Sequence, residues 1–493
     1  MNSHHECGPN VLAGPPVQLA ERLVLNRSVR GNLVTQIVDQ VSALVVDGKL
    51  APLERMPSVR ALASALTVSS FSVVEAYDRL VTAGHLVSRR SSGYYVASRA
   101  PRAGAPAAPL RIDTERMTVA SLLDPELFHV GAPGVVVPAG TAYLPSDWSD
   151  AKWLQECGRA ALRSHASLQG GYSHRLGLPD LRRQVCRRLQ QHGIEVEPDN
   201  VLLTRSAAHG LDLVMRALLK PGDAVVIEDP SYPGMRPLLD QLHLEVLPVP
   251  RTAAGLDMER FAALAEARRP KLAVVMSALH NPLGTTLSPH QAHQLLALAE
   301  RHDFRIVEDD VFRDLAEPRD ASLTALDGLQ RVIRVDGTSK LLPSIARVGS
   351  VVAPQALIGE LARLRMTTGL ASSEFSEKIA LHALSSSEFR RHVSRTKARL
   401  DNARDGTLAM LADVGMELLH APVGGIFVCA RLTHARRTGT EAARFALERG
   451  VVLSPSLRFS QSQGDAPWFR FHVAYGTHPR LRDVLAELQH GSP

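Results

Sequence analysis

Arg331-Val332-Ile333-Arg334-Val335 runs into Gly337-Thr338-Ser339-Lys340, with Arg347 seven positions beyond the lysine, and upstream Phe304-Arg305-Ile306-Val307-Glu308 ends in Asp309. Short apolar runs of this kind, bounded by turn residues, read as buried strands. Ala224 to Ile227 and Lys271 to Met276 are two more. The segments between them carry helical periodicity at the spacing of crossover units, which predicts an α/β fold with a mostly parallel sheet covered on both faces. Ligands of such sheets sit outside the carboxyl ends of the strands. Asp309 and Lys340 both fall there.

Each residue can be given a chemical task. Lys340 offers an amine that can form a Schiff base, Arg347 a cation for a phosphate, and Asp309 a carboxylate that keeps a pyridine nitrogen protonated. Pyridoxal 5'-phosphate (PLP) needs all three. Asn281, in His280-Asn281-Pro282-Leu283-Gly284, offers an amide to a phenolic oxygen, and Tyr232, in Asp229-Pro230-Ser231-Tyr232-Pro233, a flat ring for the pyridine face. Ser206-Ala207-Ala208 opens a helix carrying Leu211, Val214 and Leu218, and its free backbone amides make a phosphate cup.

A separate pattern occupies residues 29–98. Leu33, Ile37, Val41, Leu44 and Val45 recur at helical spacing up to Asp47-Gly48. Ser58 is placed to cap a short helix with Leu62, Ala63 and Leu66. After the turn Thr67-Val68-Ser69, Ser69 or Ser70 caps a longer one with Val73, Val74, Tyr77, Leu80 and Val81 inward, and Gly84 stops it. Leu86 to Ser88 and Tyr94 to Ala97 predict two strands joined by Arg89-Arg90-Ser91-Ser92-Gly93. This is the order of a winged helix-turn-helix, whose last helix enters the major groove while a basic wing reaches phosphate.

The N-terminal stretch resembles the GntR-type module, through Pro57, Ser58, Arg60, Leu62, Ala63, Ala76, Tyr77, Leu80 and Gly93. Residues 118 to 490 resemble a fold-type I PLP-dependent aminotransferase, and the two together resemble the MocR branch of GntR regulators. The resemblance implies a tail (1–28), a winged helix DNA-binding domain (29–98), a linker (99–117) and an aminotransferase-like PLP domain (118–490). It implies that Lys340 holds the cofactor as an aldimine and that Asp309 binds the pyridine nitrogen. Arg347, Ser206, Ala207 and Ala208 would hold the phosphate, Tyr232 would stack on the ring, Asn281 would meet its phenolic oxygen, and Thr338 would be a further cofactor-binding residue. Arg470, in Trp468-Phe469-Arg470-Phe471, matches the arginine that grips a substrate carboxylate. Tyr172 would reach the neighbouring subunit's phosphate in a homodimer, with the DNA module of one subunit against the PLP domain of the other. Arg60, Ser69, Ser70, Ser72, Arg89, Arg90 and Gly93 are the DNA-facing residues it implies.

Departures from the pattern set the expected function. The Arg that usually follows the capping Ser of the recognition helix is Ser70, followed by Phe71. The Tyr usual two or three residues after the pyridine-binding Asp is replaced by Val311 and Phe312. Gly337 stands where a hydroxyl residue is common, with Thr338 displaced by one, and Ser206 replaces a glycine. Cofactor binding survives these changes better than catalytic tuning does. The expectation is a DNA-binding transcriptional regulator that senses an amino compound or PLP itself at an operator. The alternative is a working aminotransferase with an auxiliary DNA module.

Composition sets the remaining bounds. The chain has 493 residues, a net charge of +6 and only seven lysines among 56 basic residues, so its basic balance reflects arginine usage. Residues 29–98 carry seven Lys or Arg against five Asp or Glu, a surplus too small to establish nucleic-acid binding. Cys7, Cys157, Cys186 and Cys429 lack metal-site or disulfide spacing, and His4 and His5 lack partners at useful spacing, so no metal is expected. With neither a leader pattern nor a long apolar stretch, the expected location is the cytoplasm, away from membranes.

Overall fold

The computed structural model describes residues 19–26, 33–89, 92–98, 134–163, 173–318, 320–434, 436–460 and 462–490. Most of the tail 1–28, the linker 99–117, the domain start near Thr118, and the site residues Arg90 and Tyr172 lie outside them. The chain divides into two compact units, Met1–Arg111 and Ile112–Pro493.

The first unit packs α1 (Leu33–Val46), α2 (Val59–Leu66) and α3 (Ser70–Thr82) with a hairpin of β1 (Leu86–Arg89) and β2 (Gly93–Val96). Ser58 caps α2 by accepting from Ala61 N at 3.2 Å. Thr67 then takes a left-handed conformation (φ 53°) that closes the helix. Ser69 starts α3 by accepting from Ser72 N at 3.1 Å, and the two helix axes meet at 118°. Tyr77 is fully buried and donates to the Pro57 carbonyl at 3.0 Å, pinning α3 to the start of α2. Its ring packs on Tyr94 of the hairpin at 4.8 Å.

Two expectations need correction here. Val74 does not point inward: Val73, Ala76, Tyr77 and Leu80 form the buried stripe of α3, and Val74, one residue round the helix from Val73, faces out. On α1 the inward face is Val34, Ile37, Val41 and Val45, with Leu33 and Leu44 half-buried beside it. The hairpin also extends one residue further toward its tip than expected, so that Arg89 pairs with Gly93 within the ladder. Gly93 sits at φ +101°, a conformation that side chains rarely adopt.

The second unit is built on an eight-stranded sheet. In chain order its strands are β3 (Val201–Thr204), β4 (Ala224–Asp229), β5 (Glu245–Thr252), β6 (Gly255–Leu256), β7 (Leu272–Val275), β8 (Arg305–Asp309), β9 (Val332–Gly337) and β10 (Gly349–Val352). Their spatial order is β3-β10-β9-β8-β7-β4-β5-β6. The central run β9-β8-β7-β4-β5 is parallel, and β10 and β6 are antiparallel to their neighbours. Strand alternation feeds two cores: Leu272, Val274, Val307 and Ile333 face one layer, Ala273, Val275, Ile306 and Val332 the other. This two-sided burial explains why the strands read as continuous apolar runs. A second, antiparallel sheet has the order β11-β12-β14-β13, from Glu417–Leu418, Phe427–Arg431, Ser454–Pro455 (β13) and Trp468–His472 (β14). Among the described residues no single helix is long and apolar enough to cross a membrane.

Candidate functional site

The carboxyl ends of β4, β8 and β9 open onto a cavity of about 590 Å³ in the second unit, a size suited to a cofactor with a small ligand. Its lining includes Lys340, Asp309, Asn281, Tyr232, Arg347, Ser206, Ala207, Ala208 and Arg470, brought together from six separate stretches of chain.

Glu308 and Asp309 are neighbours at the end of β8, and strand alternation sends them to opposite sides. Glu308 is buried among Ser277, Thr324 and the amides of Leu323 and Thr324 (both 2.9 Å). Burial would raise its pKa, but Arg334 and Arg313 hold it below the usual carboxylate value. Asp309 lacks such a setting. Burial pushes its pKa up to about 7 against the pull of Lys340, and its Oδ1 is buried with no hydrogen-bond partner among the described residues. A buried acceptor left unmatched is costly unless a ligand completes it.

Lys340 follows β9, and its Nζ donates to the Ala142 carbonyl at 3.3 Å. The same atom lies 5.5 Å from the Tyr143 ring centre and 5.7 Å from that of Phe312. Burial, reinforced by Arg470, lowers its pKa to about 8, although Asp309 opposes the shift. An amine so placed reaches its neutral, nucleophilic form closer to neutral pH than an exposed lysine does.

Arg470, on β14, is buried and lines the same cavity. Nη1 donates to Asn281 Oδ1 at 2.7 Å, Nη2 donates to the Gly140 carbonyl at 2.5 Å, and the guanidinium lies 4.1 Å from the centre of the Phe427 ring. Burial, then the charge of Arg458, lowers its pKa to about 9, which leaves it cationic at neutral pH.

Ser206 caps the helix Ala207–Leu218 by accepting from His209 N at 3.1 Å, so the first amides of that helix face the cavity beside Arg347. The cup depends on Gly349: a Cβ there would run into the Ser206 carbonyl and come within 2.6 Å of Ala207 N. Thr338, expected among the cofactor-binding residues, does not line the cavity. Its hydroxyl donates to the Ala346 carbonyl at 2.7 Å and accepts from Val348 N at 3.0 Å, and Ser339 lines the cavity instead.

Tyr143, Arg458, Phe459, Ser460 and Ser462 also line the cavity and were not anticipated. They come from loops whose local sequence carries no signature of the site. Val311 and Phe312, at the positions of the usual tyrosine, line it as apolar groups. Among the described residues no cluster of His, Cys, Asp or Glu is placed to hold a metal ion.

In the first unit, Arg60, Ser69, Ser70, Arg89 and Gly93 are exposed, while Ser72 is half-buried. Ser69 and Ser72 are tied to each other through their hydroxyls at 2.9 Å. The Arg89 guanidinium lies 4.7 Å from the centre of the Tyr95 ring, which supports it along β1.

These two units define a class: an aminotransferase-type pocket carried on the same chain as a winged helix-turn-helix. Residues 147–488 match the aminotransferase class I and II family, and residues 33–96 match the gntR family of bacterial regulatory proteins. The chain is 31% identical to the HTH-type transcriptional regulator TauR of Rhodobacter capsulatus, over 87% of this chain and 90% of that protein. It is 30% identical to the probable rhizopine catabolism regulatory protein MocR of Rhizobium meliloti, over 76% of each. Among solved structures it is similar to an archaeal alanine:glyoxylate aminotransferase, at 25% identity and a TM-score of 0.65 over 71% of this chain and 90% of that one. The α-aminoadipate aminotransferase LysN of Thermus thermophilus shares the fold, at 24% identity and a TM-score of 0.64 over 72% of this chain and 93% of that one. The chain belongs to the MocR-type family, in which a gntR-family module is fused to a class I and II aminotransferase domain.

Proposed function

We propose that the protein is a PLP-dependent DNA-binding transcriptional regulator whose aminotransferase-like domain senses an amino compound. The observation that carries this reading is the unmatched, buried Oδ1 of Asp309 in the same cavity as the low-pKa amine of Lys340. A ring nitrogen bearing a proton completes the first, and an aldehyde suits the second. PLP, when bound, supplies both, together with reversible condensation with amines.

The chain's own residues then divide the tasks. Arg347 and the amides of Ser206, Ala207 and Ala208 bind the phosphate, and Tyr232 covers one ring face. Asn281 meets the phenolic oxygen, and Arg470 orients the effector's carboxylate. Tyr172 remains assigned by resemblance to the partner's phosphate site. The first unit binds DNA through α3, Arg60 and the wing, as a homodimer reading paired half-sites. An effector changes DNA affinity by as much as it binds one protein state better than the other.

A second reading, a working aminotransferase, is favoured by Lys340, Asp309 and Arg470 lining one cavity. Titrating the PLP-loaded protein with amino acids and amines, while following visible absorbance, keto-acid formation and DNA affinity together, separates the two. A spectral change with altered DNA affinity and no turnover supports the regulator. Sustained keto-acid production without any effect on DNA affinity overturns it. Lys340→Ala should lose the effector response and keep basal DNA binding.

A further inference from the structure

The outward face of α3 raises a question that the general reading does not answer. Phe71 is 77% exposed and Val74 37% exposed, three residues apart and therefore on one side of the helix. Neither is a displaced core residue, because Val73, Ala76, Tyr77 and Leu80 already fill the buried stripe. The polar groups nearby are largely committed. Ser69 caps the helix and shares its hydroxyl with Ser72, Glu75 is paired with Arg79 at 2.6 Å, and Asp78 accepts from Tyr94 Oη at 3.3 Å. The start of the helix therefore presents two apolar side chains with the exposed Ser70 between the cap and Phe71.

In the major groove the apolar feature that distinguishes one base pair from another is the thymine C5 methyl. We infer that Phe71 and Val74 read thymine methyl groups, making methyl contact the main source of sequence specificity in this module. A face only two side chains wide is far below the roughly 800 Å² per partner of a stable protein interface, which disfavours a second copy as its occupant. DNA is the occupant because the pair stands on the second helix of the helix-turn-helix, within the 33–96 stretch matched to the gntR family. The inference rests on the proposed DNA-binding reading.

The test uses the full-length, PLP-loaded protein. Sites are selected from a randomised duplex library, and each thymine of a selected site is then replaced in turn by uracil, which removes only the methyl group. Wild type should lose about fourfold in affinity at each contacted methyl. Phe71→Ala should lose the uracil penalty at one position and Val74→Ala at its neighbour, while Phe71→Leu keeps part of it. A flat uracil scan for wild type, or identical penalties in Phe71→Ala, overturns the inference while leaving DNA binding intact. Failure to bind any duplex overturns both it and the reading beneath it.

Discussion

Arg470 and Asn281 are bonded to each other, Nη1 to Oδ1 at 2.7 Å, although each is assigned to a different part of the bound ligands. On the proposed assignments, the amide that would meet the cofactor's phenolic oxygen also orients the fork that would meet the effector's carboxylate. Occupancy of one subsite would then be coupled to the geometry of the other through this bond.

Arg470→Lys keeps the charge and loses the planar fork. It should weaken effector binding by about 2 kcal/mol, roughly thirtyfold, with PLP loading reduced far less. Calorimetric titration of the loaded variant checks this; equal affinity in variant and wild type would remove Arg470 from the carboxylate site.

Asp309 gives a pH signature in the cofactor-free protein. Its folded pKa of about 7 lies above its ordinary value of 3.8, so the folded state holds a proton that the unfolded state releases. That stabilisation is complete below the ordinary value and is lost as pH rises through about 7. Urea melts at pH 5 and pH 8 should show wild type losing on the order of a few kcal/mol relative to Asp309→Asn. A constant difference between the two proteins would contradict the burial argument.

Gly349→Ala places a methyl against the Ser206 carbonyl and Ala207 N. The turn must move, costing about 1–3 kcal/mol of stability and opening the phosphate cup. Affinity for PLP should fall about tenfold, and more than affinity for the phosphate-free aldehyde.

Arg89→Ala should weaken binding to every duplex to a similar degree and flatten the salt dependence by about one counterion. An unchanged salt slope would mean that Arg89 faces solvent in the complex.

Much of this architecture was legible because burial on both faces of the sheet leaves uninterrupted apolar runs, as in Ala224 to Ile227. The meeting of Lys340, Asp309 and Asn281 around one cavity was legible because each follows a strand run or stands in a short, distinctive motif. Tyr143 and Arg458 were not, since they reach the cavity from loops far away in sequence and only the fold brings them there. Val74 was misplaced because an apolar residue at helical spacing reads as core unless the competing stripe is mapped first. Thr338 failed for a local reason: its hydroxyl is claimed by the Ala346 and Val348 backbone.

The two anchoring points of the cavity belong to different sheets, Lys340 following β9 of the large one and Arg470 lying on β14 of the small one. On the proposed reading, an amino acid that condenses at the Lys340 end and meets Arg470 through its carboxylate would be a strut between two structural layers. The spacing of its amine and carboxylate would then matter as much as its charges, so the series of α-, β- and γ-amino acids would sort into compounds that span the gap and compounds that merely occupy it.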